Sequence, residues 1–310
     1  MEYFITLFDS NFLPQGIALY ESLKKHVGRF HLSILCMDEL CYEIIEKKSL
    51  SDVDLIRLEE VETKKLLEVK KERTFSEYCW TLTPLTPQIV FERNSSANRV
   101  TYLDADLWFI KDPFALFKEF ESSNKEVMIT DHAYDSDYDQ SEKYGKYCVQ
   151  FMIFKRGGEI VRKWWEKKCL EWCFARYEEG RFGDQKYLDD WLNRFPQYVH
   201  VLSQKESIQA PWNAKRFSCS SSVIWHFHGL RIQKRKVLCF LRYKIPYSVI
   251  TKIYDPYIDE IQKIMEDLPI EISQGKAEKK FVRVLRRLDS FITTFGCDFS
   301  KYRFTSLERN

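Results

Sequence analysis

The apolar positions change period twice within the first forty residues. Residues 3–8 form a short apolar run, Ile17, Tyr20, Leu23 and Val27 recur at helical spacing after Pro14 and Gln15, and residues 32–37 form a second apolar run. The pattern predicts strand, helix, strand, the parallel crossover that opens an α/β sheet. Ligands of such sheets lie beyond the carboxyl ends of the strands, where this chain places Asp9, Ser10 and Asn11. A weak strand is predicted at 54–58, a charged helix at 61–72, and a helix from Ser76 as cap through Val90, interrupted by Pro84 and Pro87. Buried strands follow at 100–103, 127–130, 149–154 and 223–227. Residues 159–178 read as one long helix with Val161, Trp165, Cys169 and Trp172 on a stripe. Strands alternating with helices indicate a mostly parallel sheet covered on both faces.

Composition narrows the class. With 310 residues, 45% hydrophobic and 30% charged, the chain can bury a substantial core, and only 10 Gly and 9 Pro leave no low-complexity character. The net charge of +2 argues against nucleic acid as a partner, but it hides an asymmetry. Residues 231–310 carry 17 Lys/Arg against 10 Asp/Glu, a net +7, so the first 230 residues carry −5. The nine cysteines include no C-x-x-C pair, and Cys169 and Cys173 share a face without the rest of a zinc tetrad, so all nine are expected to be reduced thiols. The start, MEYFITLF, lacks the pattern of a signal peptide, and no 18 apolar residues run together. A cytoplasmic location is expected.

Three short motifs carry candidate chemistry. Asp104-Ala105-Asp106 follows a buried strand, and in an extended segment the two carboxylates would share a face, an arrangement that a hard divalent ion relieves. Taken alone, Asp-x-Asp is weak, because strand ends often carry acidic turn residues. In Trp225-His226-Phe227-His228-Gly229 the same alternation puts both histidines on one face. Either they ligate a manganese-type ion, or one is a hydrogen-bonded core residue and the other is exposed. In Phe182-Gly183-Asp184-Gln185 the aspartate is either a helix cap or a ligand-facing group. Neither G-x-x-x-x-G-K-[ST] nor G-x-G-x-x-G occurs, so a bound phosphate would depend on the metal.

These motifs in this order, with Thr6-Leu7-Phe8-Asp9 before them and the stretches 73–84 and 164–191 between, resemble the nucleotide-diphospho-sugar glycosyltransferases of GT-A fold, specifically the family-eight, galactosyltransferase-like enzymes and their bacterial cousins. The resemblance covers about residues 3–230. It implies an α/β fold of GT-A type, a Rossmann-like, mostly parallel sheet flanked by helices, divided into a catalytic domain 1–230 and a basic, mainly helical extension 231–310. It implies that Thr6, Phe8 and Asp9 face the nucleoside with Tyr20 nearby, and that Arg73, Tyr78 and Thr81 lie towards the donor. Asp104, Ala105 and Asp106 would meet the sugar-ribose end and a divalent metal, Mn2+ or Mg2+, with His226 as third ligand or His228 in its place. Gln150 would be the polar group nearest the anomeric centre, and Asp184 and Gln185 would bond the sugar hydroxyls. Family-eight enzymes usually carry Asn-x-Gly where this chain has Cys148-Val149-Gln150, and Lys-Pro-Trp where it has Leu230-Arg231, so Arg231 or Lys234 would supply the diphosphate charge.

The implied activity is transfer of a sugar from a nucleoside-diphosphate sugar to a glycan or lipid-linked acceptor, as in lipopolysaccharide or capsule synthesis. Two rivals are a haloacid dehalogenase-type phosphatase with Asp9 as nucleophile and a non-catalytic glycan-binding or membrane-docked scaffold. Residues 276–295 place Phe281, Val284, Leu288, Phe291 and Phe295 opposite Lys279, Lys280, Arg283, Arg286 and Arg287, a helix that either packs on the domain or lies on an anionic membrane, peripheral at its inner face. Tyr243, Tyr247, Tyr254 and Tyr257 are candidates for an acceptor groove.

Overall fold

In the computed structural model, which describes residues 1–233, 236–239 and 243–269, the strands in chain order are β1 Glu2–Phe8, β2 Phe30–Cys36, β3 Val53–Arg57, β4 Arg99–Leu103, β5 Leu107–Phe109, β6 Val127–Asp131, β7 Tyr147–Lys155, β8 Val199–Val201, β9 Ile208–Gln209, β10 Ile224–His226, β11 Leu230–Gln233 and β12 Lys236–Cys239. Seven form one sheet in the order β3-β2-β1-β4-β7-β6-β8. Every neighbouring pair is parallel except those of β7, which runs against both β4 and β6. The mostly parallel α/β sheet expected from the chain is the sheet observed.

Continuous apolar strands are buried on both faces. Phe4 and Phe8 of β1 enter one core with Ile17, Leu19 and Leu23 of the helix Leu13–His26. Ile5 and Leu7 enter the other with Leu82, Val90 and Trp165, from the helices Phe75–Leu82, Thr86–Arg93 and Glu159–Glu171. Gly16 lets the first helix sit directly on the end of β1, since a Cβ there would overlap the Phe8 ring. The strand predicted at 223–227 does not join this sheet. It becomes β10, between β5 and β9 in a second sheet, because β5 leaves the main sheet after β4 with an edge free to pair.

Several boundaries move for tertiary reasons. The helix predicted to reach 178 ends at Glu171, and Trp172 is already extended. The backbone beyond it is held elsewhere: Ala175 donates its N–H to Glu77 Oε1 at 2.7 Å, and Gly183 donates to the Phe174 carbonyl at 3.0 Å. The predicted 61–72 helix splits into Leu58–Val61 and Lys64–Lys70, where Thr63 caps the second piece. Thr74, not Ser76, caps the helix Phe75–Leu82, and Glu77 returns the bond to the Thr74 N–H at 2.7 Å.

Beyond residue 230 the described chain forms the β11–β12 hairpin and the helix Asp255–Glu266. Tyr254, Tyr257, Ile261 and Ile264 belong to the same core as Phe4 and Phe8, so residue 230 does not divide that core. The Tyr257 ring stacks on Phe227, which removes Tyr254 and Tyr257 from any acceptor groove; Tyr243 lines the cleft described below and Tyr247 is exposed. The basic helix predicted at 276–295, together with Lys234, lies outside the described residues. Among the described residues no helix is long and apolar enough to cross a membrane.

Glu119 of the helix Phe114–Ser122 ties down the segment that leads towards the cleft. It accepts from His200 Nε2 (2.7 Å), Ser203 N (2.6 Å), Ser203 Oγ (2.7 Å) and Gln204 Nε2 (3.0 Å). Burial alone would raise its pKa, but these bonds hold it down at about 2. A depressed carboxylate stabilises the fold above its unfolded pKa, about 4.3, and that contribution disappears as the pH falls towards 2. Glu119→Ala is therefore expected to cost about 2 kcal/mol at pH 7 in urea unfolding and much less at pH 2.5. An equal cost at both pH values contradicts the assignment.

Candidate active site

The buried strand β4 ends at Leu103, and the chain then turns instead of staying extended: Leu107 donates its N–H to the Asp104 carbonyl at 3.2 Å. Asp104 and Asp106 therefore converge through a turn, not through the strand alternation expected. The turn delivers β5 to β10 antiparallel, with His226 opposite Leu107 and the Phe227 N–H on the Asp106 carbonyl at 2.9 Å. One oxygen from each aspartate and one His226 nitrogen lie within 4.8 Å of one another. His226 Nε2 stands 3.0 Å from Asp106 Oδ1 and 3.8 Å from Asp104 Oδ2. Its Nδ1 faces Gln150 Oε1 at 2.5 Å, and Tyr102 donates its hydroxyl to Asp104 Oδ1 at 3.0 Å.

Desolvation and mutual charge set the electrostatics of this cluster. Burial pushes the Asp104 carboxyl up to about 6; His226 opposes the shift and Asp106 reinforces it. Burial would raise Asp106 too, but the charge and hydrogen bond of His226, backed by Arg231 and His228, hold it well below the usual carboxylate range. In His226 the two carboxylates outweigh burial, so its pKa is raised. Two hard oxygen donors and one imidazole nitrogen at this spacing fit a divalent ion of the manganese type.

The cluster lies in a cleft of about 760 Å³ beyond the carboxyl ends of β1 and β4. Asp9 bounds one end, with Asn11 donating to it from its main-chain N (3.1 Å) and side-chain amide (2.6 Å). Burial raises the Asp9 pKa and the Asn11 bonds oppose that shift. Asp184 lines the cleft, and its side chain makes no capping hydrogen bond to the 3-10 helix Gln185–Asp190 that follows it. Burial and the nearby Asp104 hold its carboxyl well above the usual range. Gly183 precedes it at φ +51, where a Cβ would stand 3.3 Å from the Trp80 ring. Gln185 lines the cleft with its amide nitrogen tied to the Tyr144 carbonyl at 2.8 Å. Arg231 is the one Arg or Lys among the described residues that line the cleft; its guanidinium bonds the Leu230 carbonyl at 2.7 Å and lies over the Phe12 ring.

Phe8, Asp9, Asp104, Ala105, Asp106, Asp184, Gln185, His226, His228 and Arg231 are thus brought together in one cleft. Other expected site residues are not. Thr6 is fully buried within β1. Tyr20 bonds Ser51 Oγ at 3.0 Å and packs edge-on to Phe30. Arg73 stacks on Phe174, Tyr78 donates to Glu62 at 2.8 Å, and Thr81 donates to the Glu77 carbonyl at 2.8 Å. The cause at 75–82 is helical phase: Ser76, Cys79, Trp80 and Thr83 share the cleft-facing side, and Tyr78 and Thr81 face the core. Gln150 is buried behind His226 and does not line the cleft. His228 does line it, but stands outside the Asp104–Asp106–His226 cluster. Gly229 takes φ +80 in the turn closed by Leu230 N–H on the Phe227 carbonyl, so its role is chain reversal.

The sequence reading missed Trp80, Tyr102, His132, Tyr134 and Trp212, all of which line the cleft. Tyr102 could have been found two residues before Asp104, and His132 and Tyr134 just past the end of β6. His132 and Tyr134 stack at 4.7 Å, and Trp212 donates Nε1 to the His132 carbonyl at 2.8 Å.

No family model matches the chain. Two proteins of Bacillus subtilis (strain 168) do, both described as uncharacterized: YfnD, 29% identical over 86% of this chain and 92% of its own, and YfnF, 30% identical over 74% and 82%. Among solved structures the galactosyltransferase LgtC, in complex with donor and acceptor sugar analogues, covers 87% of this chain and 98% of its own at a TM-score of 0.55 and 10% identity. The bifunctional glycosyltransferase WbbM matches over 88% of this chain and 51% of its own, with a TM-score of 0.51 and 14% identity. The glycosyltransferase GlyE of Streptococcus pneumoniae TIGR4 matches over 87% and 61%, with a TM-score of 0.51 and 13% identity. The chain belongs to the family of YfnD and YfnF and has the GT-A glycosyltransferase fold.

Proposed function

We propose that the chain is a metal-dependent glycosyltransferase that moves a sugar from a nucleoside-diphosphate sugar to a glycan or lipid-linked acceptor. The observation that carries this reading is the charge of the cleft. Asp104 and Asp106 share one imidazole in it, Asp9 and Asp184 add two further acidic side chains, and Arg231 is the one guanidinium among the described residues. Each uncompensated phosphate–carboxylate pair at roughly 6 Å would cost on the order of 3 kcal/mol at an effective dielectric of 20. A diphosphate therefore needs a cation there, and Asp104, Asp106 and His226 form the donor set that would hold one, Mn2+ or Mg2+. When bound, such an ion acts as a Lewis acid that stabilises the departing diphosphate.

The chain's own groups take the remaining roles. Arg231 meets diphosphate charge from the side of Phe12. Phe8 and Asp9, the latter aligned by Asn11, bind the nucleoside end, and Ala105 presents backbone between the two metal-binding carboxylates. Asp184 and Gln185 bond sugar hydroxyls. The net +7 of residues 231–310 supports an acceptor presented at an anionic membrane, as surface polysaccharide assembly at the cytoplasmic face would require. The phosphatase reading is weaker, because Asn11 occupies both oxygens of Asp9 and no lysine lines the cleft among the described residues. The scaffold reading leaves the converging aspartates and histidine without a use.

Hydrolysis of nucleotide sugars in Mn2+ is expected to stop on adding EDTA, and Asp106→Asn is expected to lower kcat/KM about 100-fold or more. Unchanged turnover in either case contradicts the metal assignment. Arg231→Ala is expected to weaken nucleoside-diphosphate binding about tenfold by calorimetry, with Arg231→Lys in between. Equal affinity in all three proteins would remove Arg231 from the diphosphate site.

A further inference from the structure

We infer that Gln150 is the positioning residue of the proposed metal centre, an assignment that rests on the reading of Asp104, Asp106 and His226 as its ligands. Gln150 sits in β7 of the main sheet and is 1% exposed. It holds both arms of the cluster. Its main-chain carbonyl accepts the Asp104 N–H at 2.9 Å, fixing the point where β4 turns. Its side-chain Oε1 faces His226 Nδ1 at 2.5 Å, reaching across to β10 of the second sheet.

An amide oxygen only accepts, so the proton of that bond belongs to His226 Nδ1. This selects the ring state in which Nε2 is the ligating nitrogen, and Nε2 is the atom that faces Asp106 at 3.0 Å and Asp104 at 3.8 Å. The ring is also wedged by Trp212, edge-on at 5.4 Å, so Gln150 sets the direction in which the nitrogen points along a path the packing already restricts. Gln150 thus couples the strand that carries the carboxylates to the strand that carries the imidazole, without touching the donor.

The test is Mn2+ binding by the full-length chain, followed by electron paramagnetic resonance of free Mn2+. Gln150→Leu keeps the volume and removes the acceptor; Gln150→Asn keeps the amide and withdraws it by one methylene. Each is expected to weaken Mn2+ binding 10- to 100-fold, whereas Gln150→Glu, which still accepts from Nδ1, stays within about threefold of wild type. In a His226→Ala background the Gln150→Leu change is expected to alter affinity less than about twofold, because the bond it removes is already gone. If Gln150→Leu does not fold, as judged by circular dichroism, Gln150→Asn decides the question alone. Wild-type affinity in Gln150→Leu or, where that variant does not fold, in Gln150→Asn overturns the proposal, as does an equal loss with and without His226. Absence of Mn2+ binding by the wild-type protein overturns the metal reading itself, and with it this inference.

Discussion

Two carboxylates and an imidazole held within 4.8 Å at the seam between two sheets make a concentration of charge to which the surrounding structure must respond. Inside the protein, where the effective dielectric falls far below that of water, such a cluster is unstable unless its charges are matched. His226 matches Asp106, the Tyr102 hydroxyl supports Asp104, and burial, reinforced by Asp106, still raises the pKa of Asp104 against the opposing effects of His226 and Tyr102. Asp184 adds a further buried acid whose pKa is raised partly by Asp104. The result is a cleft with unused capacity for positive charge, a property that folding stability alone would select against and that ligand binding can exploit.

The fold produces this seam by a simple topological device. The main sheet delivers β4, and the turn at Asp104–Leu107 takes the chain out of that sheet to pair with β10. Packing of the helix Asp255–Glu266 behind Phe227 and Trp108 braces the second sheet, so the described chain after residue 230 contributes to the rigidity of the site although, among the described residues, it supplies one charged group, Arg231, to the cleft. The GT-A fold is shared with LgtC, WbbM and GlyE at identities of 10–14%, so the scaffold is common where the sequences have diverged.

Most strands were legible in the sequence because strands buried on both faces are written as predominantly apolar runs, and β1, β2 and β4 are of that kind. The same property hid Gln150: in a strand buried on both faces, alternation does not say which neighbour a single polar residue meets. Helical phase at 75–82 was illegible because both faces carry a hydroxyl and an aromatic ring, Ser76 and Trp80 on one and Tyr78 and Thr81 on the other. The end of the helix Glu159–Glu171 carries no glycine or proline stop signal before Gly180, and contacts from Glu77 and Tyr187, distant in sequence, decide it. The choice of His226 over His228 required the pairing of His226 with Leu107, which no local pattern encodes.

We propose that this cleft binds a nucleoside diphosphate more tightly together with a divalent cation. Calorimetric titration of UDP and GDP into the full-length chain, in saturating Mn2+ and in EDTA, measures that coupling directly. Binding is expected to be tighter by about tenfold or more with Mn2+, and to lose that advantage in His226→Ala. Equal affinity in Mn2+ and in EDTA would contradict it.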